Sequence, residues 1–102
     1  MGTHALIATK QANGDYKVIY CHYDGDPSHT GKILTDSYSS PDLAQQLIDG
    51  GDIQGFSREG IVSPLVSGGA AKTVSGERLM NLKPYCKFVY VFHGQVWHCH
   101  TR

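Results

Sequence analysis

An alternating β-strand is predicted to run directly into an acidic turn in the stretch Val18-Ile19-Tyr20-Cys21-His22-Tyr23-Asp24-Gly25-Asp26-Pro27. Successive side chains of a strand point to opposite faces of a sheet, so Val18, Tyr20 and His22 share one face. Gly and Pro end the strand, because Gly permits a tight turn and Pro cannot donate to a strand ladder. This strand carries phenol, thiol and imidazole side chains in direct succession, more polar groups than a purely structural strand requires.

A first hairpin is predicted between this strand and the chain that precedes it. Residues 3–9 are predicted to form one strand and residues 16–23 the other, with Asn13-Gly14 between them. Asn-Gly adopts the positive φ angles of a tight turn at little steric cost. It is therefore the strongest hairpin signal in the chain.

A second hairpin is predicted near the end of the sequence. Residues 86–92 form a run rich in aromatic and β-branched side chains, and residues 96–100 follow after the turn His93-Gly94-Gln95. Such runs favour strands because their side chains pack well on a pleated surface. The alternation places Phe88, Tyr90 and Phe92 on one face of the sheet.

Two helices are predicted between the hairpins, over residues 30–38 and 41–49. The second begins clearly, because Ser40 can accept a hydrogen bond from a free amide and Pro41 suits the first helical position. The resulting fold class is α+β. We expect a mainly antiparallel four-stranded sheet from the two hairpins, with both helices packed on one face and the other face open.

The segment 52–82 is rich in Gly and Ser and carries little periodic pattern. We expect it to be irregular or mobile within a single domain that spans residues 1–102. The segment offers no sign of a second domain or of an internal repeat.

Composition and charge exclude several classes of function. The formal net charge is zero, with nine basic and nine acidic residues, whereas a general nucleic-acid binder normally carries a basic excess. No apolar run approaches the length of a membrane span, and the start of the sequence is unlike a secretory signal. The three cysteines form no CxxC pair, so we expect free thiols and a cytoplasmic location.

The chain resembles a family of small phage and prophage proteins that carry a Tyr-Cys-His-(Trp/Tyr)-Asp-Gly motif. The resemblance rests on Ile19-Tyr20-Cys21-His22-Tyr23-Asp24-Gly25, on Gly31-Lys32-Ile33-Leu34 and Gly50-Gly51-Asp52-Ile53, and on the ending Tyr90-Val91-Phe92 with Gly94-Gln95-Val96-Trp97. It is weak between residues 55 and 82. Tyr23 stands where the family often has Trp, and Asp26 where it often has Tyr. The family has no assigned reaction, so the resemblance implies a mobile-element accessory protein that acts on host components.

The leading functional hypothesis is a non-enzymatic binding module that docks on a host protein as an inhibitor or anti-defence factor. No specific catalytic constellation is present, and we expect neither catalytic residues nor a cofactor. Tyrosine and tryptophan are typical interface anchors, and the chain has many for its length. The predicted binding residues lie on the second strand, its turn and the last strand: Tyr20, His22, Tyr23, Asp24, Asp26, Trp97, His98 and His100.

The competing hypothesis is a metal-binding or nucleotide-binding domain, or a small enzyme, built on His22, Asp24, His98 and His100. His98 and His100 share one face of the last strand, and His4 lies on the first strand. If these strands are neighbours, His4, His22, His98 and His100 could approach a borderline metal such as zinc. No compact ligand signature is present, so we expect no bound metal. A small anionic ligand is the alternative partner.

Overall fold

A seven-stranded mixed sheet forms the centre of the protein in the computed structural model, which describes residues 3–102. Met1 and Gly2, the first two residues of the predicted domain 1–102, lie outside the described residues. The elements follow along the chain as β1 (Ala5–Lys10), β2 (Tyr16–Cys21), a π-helical turn (Pro27–Gly31), α1 (Lys32–Ser37), α2 (Pro41–Asp49), β3 (Ile53–Phe56), β4 (Val62–Pro64), β5 (Lys72–Val74), α3 (Gly76–Asn81), β6 (Phe88–His93) and β7 (Val96–Thr101).

The predicted four-stranded, mainly antiparallel sheet is wrong in strand number and in strand direction. Residues 3–102 form seven strands in the order β4-β3-β2-β1-β6-β7, and β5 pairs with β2 off this path. The sheet is mixed because β1 runs parallel to β6 and β2 runs parallel to β3. On the edge away from β1, β2 pairs with two different strands. Cys21 at its end pairs with β3, and residues 16–18 at its beginning pair with β5.

Strand β1 lies at the centre of the sheet because both of its faces are apolar. Residues 5–8 are each no more than 1% exposed. Such an unbroken apolar run is typical of a strand covered on both faces. The strand pairs with β2 on one edge and with β6 on the other. Both predicted hairpins therefore form, but a parallel pair joins them.

The three strands that sequence analysis missed all lie in the segment 52–82. β3, β4 and β5 contain three or four residues each. A run this short cannot display a period of two clearly enough to be recognised. Their pairing depends on strands that are distant in the sequence.

The two hairpin turns differ in length and in backbone conformation. The β1–β2 loop covers residues 11–15, where Gly14 has a φ of +91°. The β6–β7 turn is shorter, because His93 pairs with Val96 and only two residues lie between them. Gly94 and Gln95 both have positive φ angles, +62° and +64°. This is the geometry that suits the right-handed twist of adjacent strands.

Helices α1 and α2 pack on one face of the seven-stranded sheet. The predicted start of α2 is confirmed, since Ser40 Oγ accepts a hydrogen bond from the Leu43 amide at 3.2 Å. The core on this face combines buried residues of the sheet, α1 and α2: Ala5, Ile7, Ile19, Cys21, Ile33, Leu34, Leu47, Ile48, Ile53, Phe56 and Tyr90. Phe88, which shares a face of the sheet with Tyr90, is half-buried beside this core.

The opposite face of the sheet is also covered, which corrects the expectation of an open face. Helix α3 and the chain that follows it pack there, and they form a second core with β1, β2, β5 and β6: Leu6, Ala8, Val18, Val74, Leu79, Cys86, Val89 and Val91. Ser75 caps the start of α3 by accepting from the Arg78 amide. Arg102 donates to carbonyl groups at and beyond the end of α3. An interaction surface on this face must therefore lie where α3 does not reach.

Candidate binding site

A group of aromatic, imidazole and ammonium side chains lies at the end of the sheet where β2 finishes and β1 begins. We call it the aromatic–histidine cluster, and its members are His4, Tyr20, His22, Tyr23, Lys83 and Tyr85. The hairpin register places Ala5 opposite Cys21. The residues just beyond this pair, His4 and His22, therefore lie side by side.

Hydrogen bonds fix the centre of the cluster and define its tautomers. His4 Nδ1 lies 2.7 Å from the carbonyl oxygen of His22. Since a carbonyl can only accept, His4 Nδ1 carries a proton and donates it. The Tyr20 hydroxyl lies 3.0 Å from this nitrogen and 2.8 Å from His22 Nδ1. Tyr20 therefore donates to His22 Nδ1, and neutral His22 carries its own proton on Nε2.

Four rings of the cluster form a continuous row. Tyr85 meets the edge of His4 at a centroid distance of 5.7 Å, and His4 stacks on His22 at 5.1 Å. His22 contacts Tyr23 at 4.4 Å. The two outer tyrosines are the exposed ones, with Tyr23 41% and Tyr85 58% exposed. The row thus has a half-buried centre and two accessible ends.

The cluster carries the positive charge of Lys83 and contains no carboxylate. Lys83 Nζ lies 5.3 Å from the centroid of the Tyr20 ring and 5.9 Å from that of Tyr85, within the range of a cation–π interaction. Burial raises the pKa of Tyr20 to about 12, and the neighbouring Tyr85 and Cys86 add to this increase. The Tyr20 hydroxyl is therefore a permanent donor at neutral pH. Its role here is to hold His22 in one orientation.

Cys21, which lies between Tyr20 and His22 in the sequence, cannot serve as a nucleophile. Cys21 is fully buried, and its Sγ lies 3.4 Å from the Tyr23 carbonyl oxygen, to which it donates. Burial raises the pKa of Cys21 to about 12. A nucleophilic cysteine requires a thiolate near neutral pH. Cys86 is also buried, and burial raises its pKa to about 11.

Asp24 and Asp26 lie on the turn that adjoins the cluster. The Tyr90 hydroxyl donates to the Gly25 carbonyl at 2.6 Å, and the Thr30 hydroxyl donates to the Asp24 carbonyl at 2.7 Å. Both donors lie on the side of α1 and α2, so the turn is held from within the core. Gly25 must be glycine, because a Cβ there would lie 2.7 Å from that of Ala5.

The structure does not bring Trp97, His98 and His100 to the cluster. They lie on β7, which is separated from β2 by β1 and β6. Three strand spacings correspond to about 14 Å. Trp97 Nε1 donates to the Tyr38 carbonyl at 2.9 Å, and His98 stacks on His93 at a centroid distance of 4.6 Å.

The four histidines that we predicted as candidate metal ligands also lie in two separate places. His4 and His22 are neighbours, but His98 and His100 lie on the distant strand. Within residues 3–102, no group of three or more His, Cys, Asp or Glu side chains is placed to hold a metal ion.

Sequence analysis missed two members of the cluster as site residues, Lys83 and Tyr85. They follow α3, and α3 lies in the segment that we expected to be irregular. No motif or spacing links this segment to β2. The only available signal was the aromatic character of Tyr85 itself.

A groove of about 350 Å³ lies between α1 and β7, away from the cluster. Its lining includes Lys32 and Asp36 from α1, with Tyr90, Trp97 and Cys99 from the sheet. Cys99 is an exposed residue, whereas Cys21 and Cys86 are buried. Partial burial of its thiol raises the pKa of Cys99 above its ordinary value.

The chain matches no protein-family model, no curated protein and no solved structure in the comparisons made with each. The resemblance to small phage proteins therefore stays a prediction. Among the helices within residues 3–102, none is sufficiently long and apolar to cross a membrane.

Proposed function

We propose that this chain is a non-enzymatic binding module whose contact surface is the aromatic–histidine cluster. The observation that supports this most directly is the row of four rings with exposed tyrosines at both ends and a hydrogen-bonded centre. A tyrosine on a rigid support is a good interface anchor, because a large ring is buried with little loss of side-chain freedom.

The partner that this surface fits is a protein segment with an acidic side chain flanked by apolar area. His22 Nε2 and the Lys83 ammonium group are donors, and neither imidazole Nε2 of the cluster has a hydrogen-bond partner within residues 3–102. An acidic group would satisfy these donors, while the neighbouring apolar area would cover Tyr23 and Tyr85.

The biological context that we propose is that of a phage accessory protein that inhibits a host protein in the host cytoplasm. The support is the resemblance described above, whose central motif runs from Tyr20 to Gly25. That motif supplies three of the cluster residues, Tyr20, His22 and Tyr23. The residues that suggest a phage origin are thus part of the proposed contact surface.

The competing hypothesis is a site for a small anionic ligand such as a nucleotide. The same donors, His22 Nε2 and Lys83, could bind a phosphate, and an exposed tyrosine could stack on a base. His98 and His100 would not take part, because they lie three strands away.

Site-specific photo-cross-linking tests the proposed surface. A photoreactive phenylalanine analogue replaces Tyr85 in one variant and Ile61 in another, and each protein is irradiated in host lysate. Ile61 is a matched control, because it is 66% exposed and lies on the loop between β3 and β4. We expect a discrete cross-linked protein from position 85 and none of that mass from position 61.

A second substitution connects the cross-link to the cluster. His22→Ala should reduce the yield several-fold without unfolding the domain, because a half-exposed imidazole contributes little to packing. Equal yields at positions 85 and 61 would refute the proposal. Chemical-shift changes at His22 and Lys83 on addition of a nucleotide, with no protein cross-link, would favour the competing hypothesis.

A further inference from the structure

Strand β7 is an unprotected edge of the sheet. The other free edges belong to β4 and β5, which contain three residues each. β4 ends at Pro64 and β5 begins at Lys72, and short strands with Pro or Lys are the usual protection of a sheet edge. β7 contains six residues with the sequence Val-Trp-His-Cys-His-Thr. It has no Pro, no Lys and no bulge, and its register with β6 is unbroken.

The backbone groups that point outward from β7 follow from its pairing with β6. The Arg102 amide donates to the Lys87 carbonyl at 2.8 Å, so these two residues form a hydrogen-bonded pair. Hydrogen-bonded and non-hydrogen-bonded pairs alternate along an antiparallel ladder. His100, His98 and Val96 therefore direct their backbone groups towards β6.

The remaining three residues of β7, Trp97, Cys99 and Thr101, direct their N–H and C=O groups away from the sheet. Within the part of the chain that the structure describes, no loop or side chain bonds to these outward groups. The edge is also accessible, because Cys99, His100 and Thr101 are exposed.

We propose that a second copy of this chain pairs with β7 in antiparallel orientation around a two-fold axis at Cys99. The outward residues lie symmetrically about Cys99, so a two-fold axis sets Cys99 opposite the partner's Cys99. It also sets Trp97 opposite the partner's Thr101. Each of these pairs exchanges two backbone hydrogen bonds, and the two sheets become one continuous sheet.

Charge favours a second copy as the occupant of this edge. β7 carries no Lys, Arg, Asp or Glu, so an identical strand brings no fixed like charge to it. The groove beside it carries one charge of each sign, Lys32 and Asp36. Lys32 Nζ lies 2.9 Å from Asp36 Oδ2, so these two charges are already paired and a second copy brings no unpaired charge to the edge. Trp97 facing the partner's Thr101 adds a favourable aromatic–β-branched pair.

The exposed thiol provides a direct test, because the proposed axis passes between the two Cys99 residues. Hydrogen-bonded antiparallel pairs have a Cα–Cα distance of about 5.5 Å, which lies within the range that a disulfide can bridge. Diamide oxidises two thiols to a disulfide and takes up their two protons and two electrons. We expect diamide to convert the protein to a covalent dimer, and Cys99→Ser to abolish this product.

Sedimentation equilibrium then measures the dimer without any cross-link. Cys99→Ser should retain the wild-type dissociation constant, because serine keeps the backbone bonds. Cys99→Lys should weaken dimerisation by at least about tenfold, because it places two ammonium groups at the axis. Thr101→Pro should also weaken it, because proline removes an outward N–H but none of the bonds to β6.

Thermal denaturation of each variant at low concentration checks that the monomer remains folded. A wild-type protein that stays monomeric at near-millimolar concentration would overturn the proposal. A dimer that Cys99→Lys and Thr101→Pro leave unchanged would overturn it as well, since the contact would then lie elsewhere.

Discussion

The carboxylate of Asp52 takes the place of a missing strand beside Tyr20. Its Oδ1 accepts from the Tyr20 amide at 2.9 Å, at a position between the part of β2 that pairs with β5 and the part that pairs with β3. Its Oδ2 accepts from the Gly69 amide at 3.0 Å. One side chain thus satisfies two backbone donors and ties the segment 65–69 to the sheet next to the aromatic–histidine cluster.

Asp52→Ala should lower the free energy of unfolding by about 2 kcal/mol, because both amides lose a charged acceptor and the Tyr20 amide has no strand to replace it. Asp52→Asn should have a smaller effect, since one carbonyl oxygen remains. Urea denaturation of the three proteins measures the difference. Equal midpoints for wild type and Asp52→Ala would show that water replaces the carboxylate without loss.

Ser40→Ala should destabilise the domain by about 1 kcal/mol, because the Leu43 amide loses its acceptor at the start of α2. The preceding residue supplies a matched control. Ser39 is exposed and precedes the helix, so Ser39→Ala should leave the denaturation midpoint unchanged. A similar loss in both variants would point to a general effect of the segment rather than to the cap.

Arg102→Ala should lower the free energy of unfolding by about 2 to 3 kcal/mol. Its guanidinium group donates to five carbonyl oxygens at and beyond the end of α3: those of Leu79, Met80, Leu82, Lys83 and Cys86. A cation at a helix C-terminus also interacts favourably with the helix dipole. Chemical denaturation measures the loss.

Arg102→Lys is the informative companion variant. An ammonium group keeps the charge but cannot reproduce the planar fork of donors, so it should recover only a part of the stability. Hydrogen exchange should accelerate in α3 and in residues 82–86. Full recovery with lysine would mean that charge alone is responsible.

Stability should fall as the pH rises above about 9. Burial raises the pKa of Cys86 to about 11 and that of Tyr20 to about 12, from ordinary values of 9 and 10. A group whose pKa is raised in the folded state stabilises the fold below its ordinary pKa. That contribution is lost as the pH rises through the folded-state value. The free energy of unfolding, measured from pH 8 to pH 11, should therefore decrease.

Tyr20→Phe separates the contribution of this one residue. The variant should lose less stability between pH 10 and pH 12 than wild type, because phenylalanine has no proton to release. Ultraviolet absorbance titration should show one fewer late-ionising tyrosine. An identical pH dependence in both proteins would assign the alkaline loss to the buried thiols.

Local sequence signals predicted the parts of this fold that depend on local physics. The Asn13-Gly14 turn and the Ser40 cap arise from backbone preferences within a few residues. The turn predicted at His93-Gly94-Gln95 contains only Gly94 and Gln95, because His93 pairs with Val96 at the end of β6. Alternation also predicted the two faces of β2 correctly, with Ile19 and Cys21 in one core and Val18 in the other.

The rest could not be predicted because it depends on contacts between distant segments. The parallel pairing of β1 with β6 joins residues that are more than eighty positions apart, and no turn motif marks a parallel partner. Lys83 and Tyr85 reach the cluster only because α3 packs on the face that we expected to be open. The hydrogen bond from Tyr20 to His22 could be anticipated from their shared face, but the stacking on His4 required the hairpin register.

The pairing of β1 with β6 also affects how the chain folds during synthesis. Strand β1, which lies at the centre of the finished sheet, leaves the ribosome before its partner β6, and the elements from β2 to α3 are made between them. Until Phe88–His93 has emerged, an almost wholly apolar strand has one unpaired edge. Because such non-local pairing is slow, this apolar strand is exposed to aggregation until β6 has been made. We therefore expect the yield of folded protein in cells to depend on chaperones that bind short apolar segments.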